Sequence, residues 1–162
     1  PHVFNNVDLD MSQFEKTWEE LKRDEKGETS ITSGLKRIPN HLPALIKAEK
    51  IQHKAALIGF DWDDIKDVFE KIDEEYKELL DECKQGNIKY IKEELGDLLF
   101  SIVNLARFLH IDSEEALNLT NQKFINRFEF MEENASKLHK KLEDLTLDQM
   151  EELWQSAKKN KL

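Results

Sequence analysis

Two pairs of carboxylates lie close together in the middle of the sequence, and within each pair the spacing is three residues: Glu75 with Glu78, and Glu94 with Asp97. Residues three apart in a helix lie on nearly the same side, so each pair would direct its two carboxylates one way. Carboxylate oxygens are the ligands that hard divalent cations such as Mg²⁺ prefer. The spacing therefore predicts metal chemistry.

Two consecutive helices are predicted to carry these pairs. Apolar residues follow a helical period from about Asp63 to Gln85 and again from Ile88 to about His110, with a turn signal at Gly86-Asn87 between them. In an antiparallel hairpin the pairs would face each other across a groove and offer four carboxylates to one or two cations. Without a cation the arrangement is costly, since two carboxylates about 4 Å apart repel by about 4 kcal/mol at an effective dielectric near 20.

An acidic helix face can also be an ordinary solvated surface. Charged residues make up 36% of the chain, so a Glu-x-x-Glu pair is weak evidence by itself. The second pair is harder to explain in this way, because Glu94 and Asp97 adjoin an apolar run that would remove their hydration. The run contains Leu95, Leu98, Leu99, Phe100, Ile102 and Val103. We favour a metal site, and the alternative is a non-catalytic helical module for metal sensing or protein interaction.

Composition limits the partners of the chain. Its 162 residues carry a formal net charge of −10, which gives no general reason to bind nucleic acid or an anionic membrane. No stretch approaches the ~18 apolar residues of a membrane span and no signal-peptide pattern is found, so we expect a cytoplasmic protein. The single cysteine, Cys83, allows no internal disulfide and falls in the hydrophobic register of the first acidic helix, which predicts a buried thiol.

The remaining segments also predict helices, and strand signals are absent. Residues 11–26 show helical spacing, residues 27–34 read as a mobile loop, and Asn40 is predicted to cap a helix over residues 42–58. A capping-box pattern at residues 146–149 predicts a short terminal helix. The second acidic helix is apolar on several sides, which is typical of a bundle centre or a subunit interface.

Three basic or aromatic residues in the last third of the chain have ordinary explanations when they are considered alone. Lys123 and Arg127 lie one turn apart on the polar side of a predicted helix, where such a pair is by default exposed and inert. Trp154, taken alone, would be packed in a core or an interface. Their importance depends on a wider sequence pattern.

That pattern is found when the acidic motifs are taken together. Glu74-Glu75-x-x-Glu78, fifteen intervening residues and Glu94-x-x-Asp97 resemble the MazG family of all-α nucleoside triphosphate pyrophosphohydrolases. The resemblance covers about residues 35–158. It includes Leu42-Pro43-Ala44-Leu45, Lys50-Ile51-Gln52, Lys54-Ala55-Ala56, Gly59-Phe60-Asp61-Trp62, Glu94-Leu95-Gly96-Asp97-Leu98-Leu99-Phe100 and Val103-Asn104-Leu105-Ala106-Arg107.

The resemblance implies an all-α helical bundle that pairs as a homodimer, with a groove completed by the neighbouring subunit. The chain is similar to the carboxyl-terminal catalytic half of two-domain members. Pro1-His2-Val3-Phe4 resembles the segment that closes their first domain. We therefore expect residues 1–35 to be an arm or linker that follows a missing first domain, and residues 36–162 to be the catalytic domain.

Residue roles follow from the same resemblance. It assigns Mg²⁺ ligation, with Mn²⁺ as the expected substitute, to Glu75, Glu78, Glu94 and Asp97, and it makes Glu74 and Glu93 supporting or substrate-side carboxylates. Positions that face the triphosphate are matched by Lys71, Lys123 and Arg127, the position that stacks on the base by Trp154, and Lys158 lies one turn further on that face. Some relatives have lysine where this chain has Tyr90, so a phosphate contact at this place would require Lys89 or Lys92 to substitute.

The reaction implied by the resemblance is hydrolysis of a nucleoside triphosphate between its α and β phosphates, which yields a nucleoside monophosphate and pyrophosphate. Carboxylate-held Mg²⁺ would orient the triphosphate and neutralise developing charge. Lysine and arginine side chains a turn apart suit phosphate oxygens, and an indole face accepts any base.

Overall fold

The computed structural model describes residues 11–25, 27 and 30–162, and over these residues the chain contains helices and no strand. This confirms the predicted all-α class. The helices are α1 Met11–Glu25, α2 Ile31–Lys36, α3 Ala44–Leu57, α4 Ile65–Gln85, α5 Ile88–Phe108, α6 Ser113–Lys137, a 3₁₀ helix Leu142–Asp144, and α7 Leu147–Lys159. No helix in the described part of the chain is both long enough and apolar enough to cross a membrane.

The two acidic helices are α4 and α5, and local capping sets where each of them begins and ends. Asp64 caps α4 by accepting a hydrogen bond from the amide of Lys66 at 2.9 Å. Gly86 ends α4 in the left-handed conformation (φ 78°), which costs glycine little. Asn87 then caps α5 by accepting from the amide of Lys89 at 3.1 Å. This two-residue turn confirms the predicted helical hairpin.

The helices form two compact units, one that ends at Ser113 and one that runs Glu114–Leu162. In the first unit α4 packs mainly on α5, and α3 packs on α5 as well. Val68 of α4 and Val103 of α5 are almost completely buried there, while Met131, Ala135 and Ala157 are the buried residues of the second unit. The predicted division between residues 35 and 36 stays a prediction.

The predicted loop over residues 27–34 is wrong in its second half, because α2 begins at Ile31. Ser30 and Ser33 form a capping box in which each hydroxyl accepts a hydrogen bond from the other residue's amide at 3.1 Å. These reciprocal bonds satisfy two amides that would otherwise lack partners. The first ten residues of the predicted arm lie outside the described residues.

The helix before the loop is tied to the rest of its unit. Glu19 of α1 forms an ion pair with Lys54 of α3, with 3.3 Å between the carboxylate oxygen and the ammonium nitrogen. The predicted arm therefore includes a helix that contacts α3.

Two further local predictions are also wrong. Asn40 does not cap α3, which begins after Pro43; its side-chain oxygen instead accepts from the ammonium of Lys47 at 2.7 Å. Cys83 is exposed rather than buried. The inward-facing column of α4 repeats every seven residues from Val68 to Glu75, and the next position in that column is residue 82, so Cys83 is rotated away from it.

Candidate metal centre

The hairpin brings three of the predicted carboxylates together. Glu75 and Glu78 of α4 and Glu94 of α5 each place one oxygen within 4.8 Å of the other two. Glu75 is buried, Glu94 is half-buried and Glu78 is exposed, so the group lies at the edge of the interface between the helices. Three carboxylates in this arrangement could hold a metal ion.

The crowding of negative charge has its clearest effect on Glu94. Loss of hydration and then the neighbouring charges of Glu78 and Asp97 raise the pKa of the Glu94 carboxyl above its ordinary value. Its Oε2 atom is buried and has no hydrogen-bond partner among the described residues. A hard cation would supply the partner that this oxygen lacks, so the donor set fits a metal ion.

Asp97 lies one turn after Glu94 and is exposed. Its charge contributes to the raised pKa of Glu94, but the close group of three oxygens found in the described residues does not include it. Its predicted role as a ligand stays a prediction.

Lys71 lies against the same carboxylates. Its ammonium nitrogen is 2.5 Å from an oxygen of Glu75 and 3.2 Å from an oxygen of Glu74. The hydrogen bond to Glu75 is the main cause that raises the pKa of Lys71 above its ordinary value, so this lysine stays charged at neutral pH. Lys71 therefore offsets part of the negative charge, while Glu74 and Glu93 are exposed beside the group.

The second unit contains the other predicted site residues. The guanidinium carbon of Arg127 lies 4.9 Å from the centre of the Trp154 ring, and Arg127 Nε donates to the carbonyl oxygen of Leu162 at 2.7 Å. Trp154 also contacts the rings of Phe124 and Phe128, with centroid distances of 5.3 and 6.4 Å. The structure thus brings Arg127 and Trp154 together.

Two more cationic residues belong to this second unit. Lys123 and Lys158 are exposed, one turn from Arg127 and Trp154 respectively. The substrate-binding roles of these four residues stay predictions.

Sequence reasoning missed Glu82, Gln52 and Asn104. The Oε2 atom of Glu82 is buried without a hydrogen-bond partner in the described part of the chain, and its position seven residues after Glu75 could have indicated this. Gln52 and Asn104 fall inside quoted motifs, but nothing in their local spacing indicates that both line one cleft.

Comparison with known proteins gives a consistent result. A model for the MazG nucleotide pyrophosphohydrolase domain matches residues 64–131, which include all four predicted metal ligands. The chain is 44% identical over 158 residues to a nucleoside triphosphate pyrophosphohydrolase/pyrophosphatase MazG of Thermotoga maritima, covering 98% of this chain and 59% of that protein. It is 38% identical over 165 residues to a nucleoside triphosphate pyrophosphohydrolase of Escherichia coli K12, covering 100% of this chain and 63% of that protein.

A third relative is named only as uncharacterized protein YabN of Bacillus subtilis, 45% identical over 160 residues, which are 98% of this chain and 32% of YabN. The chain thus spans about three fifths of the length of the first two relatives and about one third of YabN. The matched domain and the similarity along nearly all of its residues show that the chain belongs to the MazG family.

Proposed function

We propose that this chain hydrolyses nucleoside triphosphates between the α and β phosphates, releasing a nucleoside monophosphate and pyrophosphate. The observation that carries the proposal is the meeting of Glu75, Glu78 and Glu94 within 4.8 Å, inside a region that matches the MazG domain. Two relatives are named as nucleoside triphosphate pyrophosphohydrolases, which agrees with this reaction.

Mg²⁺ is the proposed cofactor, with Mn²⁺ as a substitute. Glu75, Glu78 and Glu94 would hold it, and Asp97 would join them from the next turn of α5. When bound, such a cation would supply positive charge that neutralises the phosphates and makes water a better nucleophile. The three carboxylates would hold it at one place, because two helices position them.

Cationic side chains would bind the phosphates. Lys71 is held beside the carboxylates by Glu75 and Glu74, so it can exchange these partners for a phosphate oxygen without leaving the site. Lys123, Arg127 and Lys158 offer further donors, and charge-assisted bonds to phosphate are among the stronger hydrogen bonds. Glu74 and Glu93 would act on the substrate side.

A homodimer is part of the proposal. The hairpin exposes large apolar side chains, and a second copy of the chain would remove them from water. The apolar side chains that are at least two fifths exposed include Phe69, Tyr76, Leu80, Leu95, Leu99 and Ile102. Sedimentation velocity tests this part, and a monomer at assay concentrations would contradict it.

The reaction is tested by incubating the chain with each nucleoside triphosphate, with and without Mg²⁺, and by identifying the products with phosphorus NMR. We expect pyrophosphate and monophosphate only when Mg²⁺ is present. Glu78→Gln should abolish the release, because it removes one charged oxygen ligand. Glu70→Gln is the matched control, since Glu70 is an exposed carboxylate on the same helix.

Two other results would contradict the proposal. Orthophosphate with diphosphate would place the cleavage at another bond. Mg²⁺ binding with no turnover of any triphosphate would favour the metal-sensing alternative.

Lys71→Met should strengthen the binding of Mg²⁺ alone and weaken the binding of the Mg²⁺–triphosphate complex. Removing the cation beside Glu75 leaves the carboxylates more negative, so Mg²⁺ alone should bind about tenfold more tightly. The Mg²⁺–triphosphate complex should bind more weakly, because a phosphate donor is lost. Calorimetric titrations of each ligand, with α,β-methylene triphosphate as the nucleotide, measure both affinities.

Lys77→Met is the matched control for this experiment. Lys77 pairs with Asp73 at 2.5 Å on the exposed side of α4, so its removal should change neither affinity. Weaker Mg²⁺ binding by Lys71→Met would contradict the proposed arrangement.

A further inference from the structure

The chain turns back on itself immediately after α7. The amide of Lys161 donates to the carbonyl oxygen of Lys158 at 3.1 Å, and the amide of Leu162 donates to the carbonyl oxygen of Ala157 at 3.3 Å. These two bonds form a Schellman motif, a common arrangement in which a helix end satisfies its last carbonyl groups. They place Leu162 beside Ala157, which lies three residues after Trp154.

This turn brings the Leu162 carbonyl group to the side chain of Arg127. Arg127 Nε donates to that carbonyl oxygen at 2.7 Å, and the guanidinium carbon lies 4.9 Å from the centre of the Trp154 ring. The rings of Phe124 and Phe128 lie tilted or edge-on beside the same indole. Arg127 therefore covers a face of Trp154, and the Leu162 carbonyl holds it there.

The groups that are closed in this way are the ones proposed to bind the substrate. Arg127 is predicted to face the triphosphate, and Trp154 is predicted to stack on the base. A guanidinium that lies on the indole and donates to a carbonyl oxygen keeps both groups from a ligand. A single movement of the Arg127 side chain would free an aromatic face and a phosphate donor together.

The backbone of Lys161 limits the stability of the closed arrangement. Its φ angle is 60°, in the left-handed region that residues with a Cβ atom rarely adopt. Glycine is the usual residue at this position of a Schellman motif, because it adopts positive φ angles without a steric penalty. The bond between Arg127 and Leu162 therefore helps to hold the turn, and an anion that competes for Arg127 would loosen it.

We propose that residues 160–162 form an autoinhibitory latch, which holds Arg127 over Trp154 until a triphosphate displaces it. The proposal rests on the proposed function, because it concerns the regulation of the same site. A phosphate oxygen forms a charge-assisted hydrogen bond with the guanidinium, whereas the Leu162 carbonyl is neutral. A triphosphate therefore opens the latch, and a nucleoside monophosphate, which has fewer phosphate oxygens, competes with Leu162 less well.

Substitutions at Lys161 should shift the latch without changing any group of the metal centre. Lys161→Gly removes the penalty on positive φ and should favour closure. Lys161→Pro fixes φ near −65° and removes the amide that donates to Lys158, so it should open the turn. Lys161→Ala is the matched reference, since it removes the same charge and keeps the penalty on positive φ.

The first measurement follows the latch without any ligand. Hydrogen exchange of the Arg127 Nε–H group, observed by NMR and assigned with Arg127→Lys, reports how often its bond to Leu162 opens. We expect slower exchange in Lys161→Gly than in Lys161→Ala, and faster exchange in Lys161→Pro. Equal exchange rates in the three variants would overturn the proposal.

The second measurement is the affinity for phosphate ligands. Only the open fraction of the chain can bind a ligand at Arg127, so closure lowers the apparent affinity. Relative to Lys161→Ala, inorganic tripolyphosphate with Mg²⁺ should bind about fivefold more weakly to Lys161→Gly and about threefold more tightly to Lys161→Pro. Mg²⁺ alone should bind equally to all three. Calorimetry measures these affinities, thermal unfolding confirms that the variants are folded, and the reverse order would contradict the latch.

Neither measurement depends on turnover, so the latch and the proposed reaction can fail separately. If tripolyphosphate speeds hydrogen exchange at Arg127 Nε–H and binds in the expected order, the latch stands even if no triphosphate is hydrolysed. If the chain releases pyrophosphate while the three Lys161 variants share one exchange rate and one KM, the latch is wrong and the reaction stands. Exchange at Arg127 that tripolyphosphate leaves unchanged in every variant would also overturn the latch.

Discussion

Glu94→Gln is expected to lower kcat/KM for pyrophosphate release at least about 100-fold. Substitutions that only support a metal ligand cost about 10- to 100-fold, and Glu94 is proposed as a ligand itself. The same change should raise the stability of the metal-free protein, since glutamine removes a carboxylate that is close to Glu78 and Glu75 and partly dehydrated. Steady-state assays and thermal unfolding in a chelator measure the two effects.

A fall in activity together with a rise in stability distinguishes a carboxylate of the metal centre from one that stabilises the fold. Substitution of a glutamate that stabilises the fold would lower the stability of the protein, and any loss of activity would then follow from unfolding. Glu70→Gln, an exposed change on α4, should leave both quantities unchanged. A Glu94→Gln protein with full activity would refute the assignment of this residue to the metal centre.

Mg²⁺ is expected to stabilise the folded chain by about 2.7 kcal/mol when its concentration is 100 times its dissociation constant. The gain arises because the folded state gathers the three carboxylates and the unfolded state separates them. For a chain of this length, this corresponds to a rise of roughly 5–10 °C in the unfolding temperature. Calorimetric unfolding in MgCl₂ and in NaCl of equal ionic strength gives the measurement, and an equal rise in Glu94→Gln would contradict it.

The sign of the pH dependence follows from the raised pKa of Glu94. Above this pKa the carboxylate is charged, and in the absence of cation it destabilises the folded state. As pH falls through the raised pKa, the carboxyl protonates and this destabilisation is lost. Protons then compete with Mg²⁺, so the stabilisation by Mg²⁺ should shrink between neutral and mildly acidic pH, and it should shrink less in Glu94→Gln.

The hairpin was predictable because its determinants are local. Gly86 and Asn87 form the turn by their own conformations and side chains, and a spacing of three residues sets the direction of each carboxylate pair. The meeting of Glu75 with Glu94 then follows from packing two helices that a short turn joins. The structure also shows what this reasoning could not rank, namely that Asp97 lies outside the closest group.

Features that depend on distant residues were not predictable in this way. The orientation of Gln52 is set by a carbonyl 48 positions along the chain, and no local period indicates such a bond. Helix α2 is only six residues long, so its apolar pattern is too short to stand out, and the Ser30–Ser33 box stabilises its start. Cys83 was misplaced because it lies seven residues after Tyr76, and that column of α4 faces outward, with Tyr76 itself 53% exposed.

The hydrogen bonds of Arg107 have a kinetic consequence for any ligand of the cleft between α3, the loop that follows it and α5. Arg107 binds Asp61 and Asn104 at once, so the loop and the Asn104 amide are held in position before a ligand arrives. Binding to such a preorganised surface loses little conformational entropy and needs no slow rearrangement. Differences in affinity between ligands should therefore appear mainly as differences in how long each one stays bound.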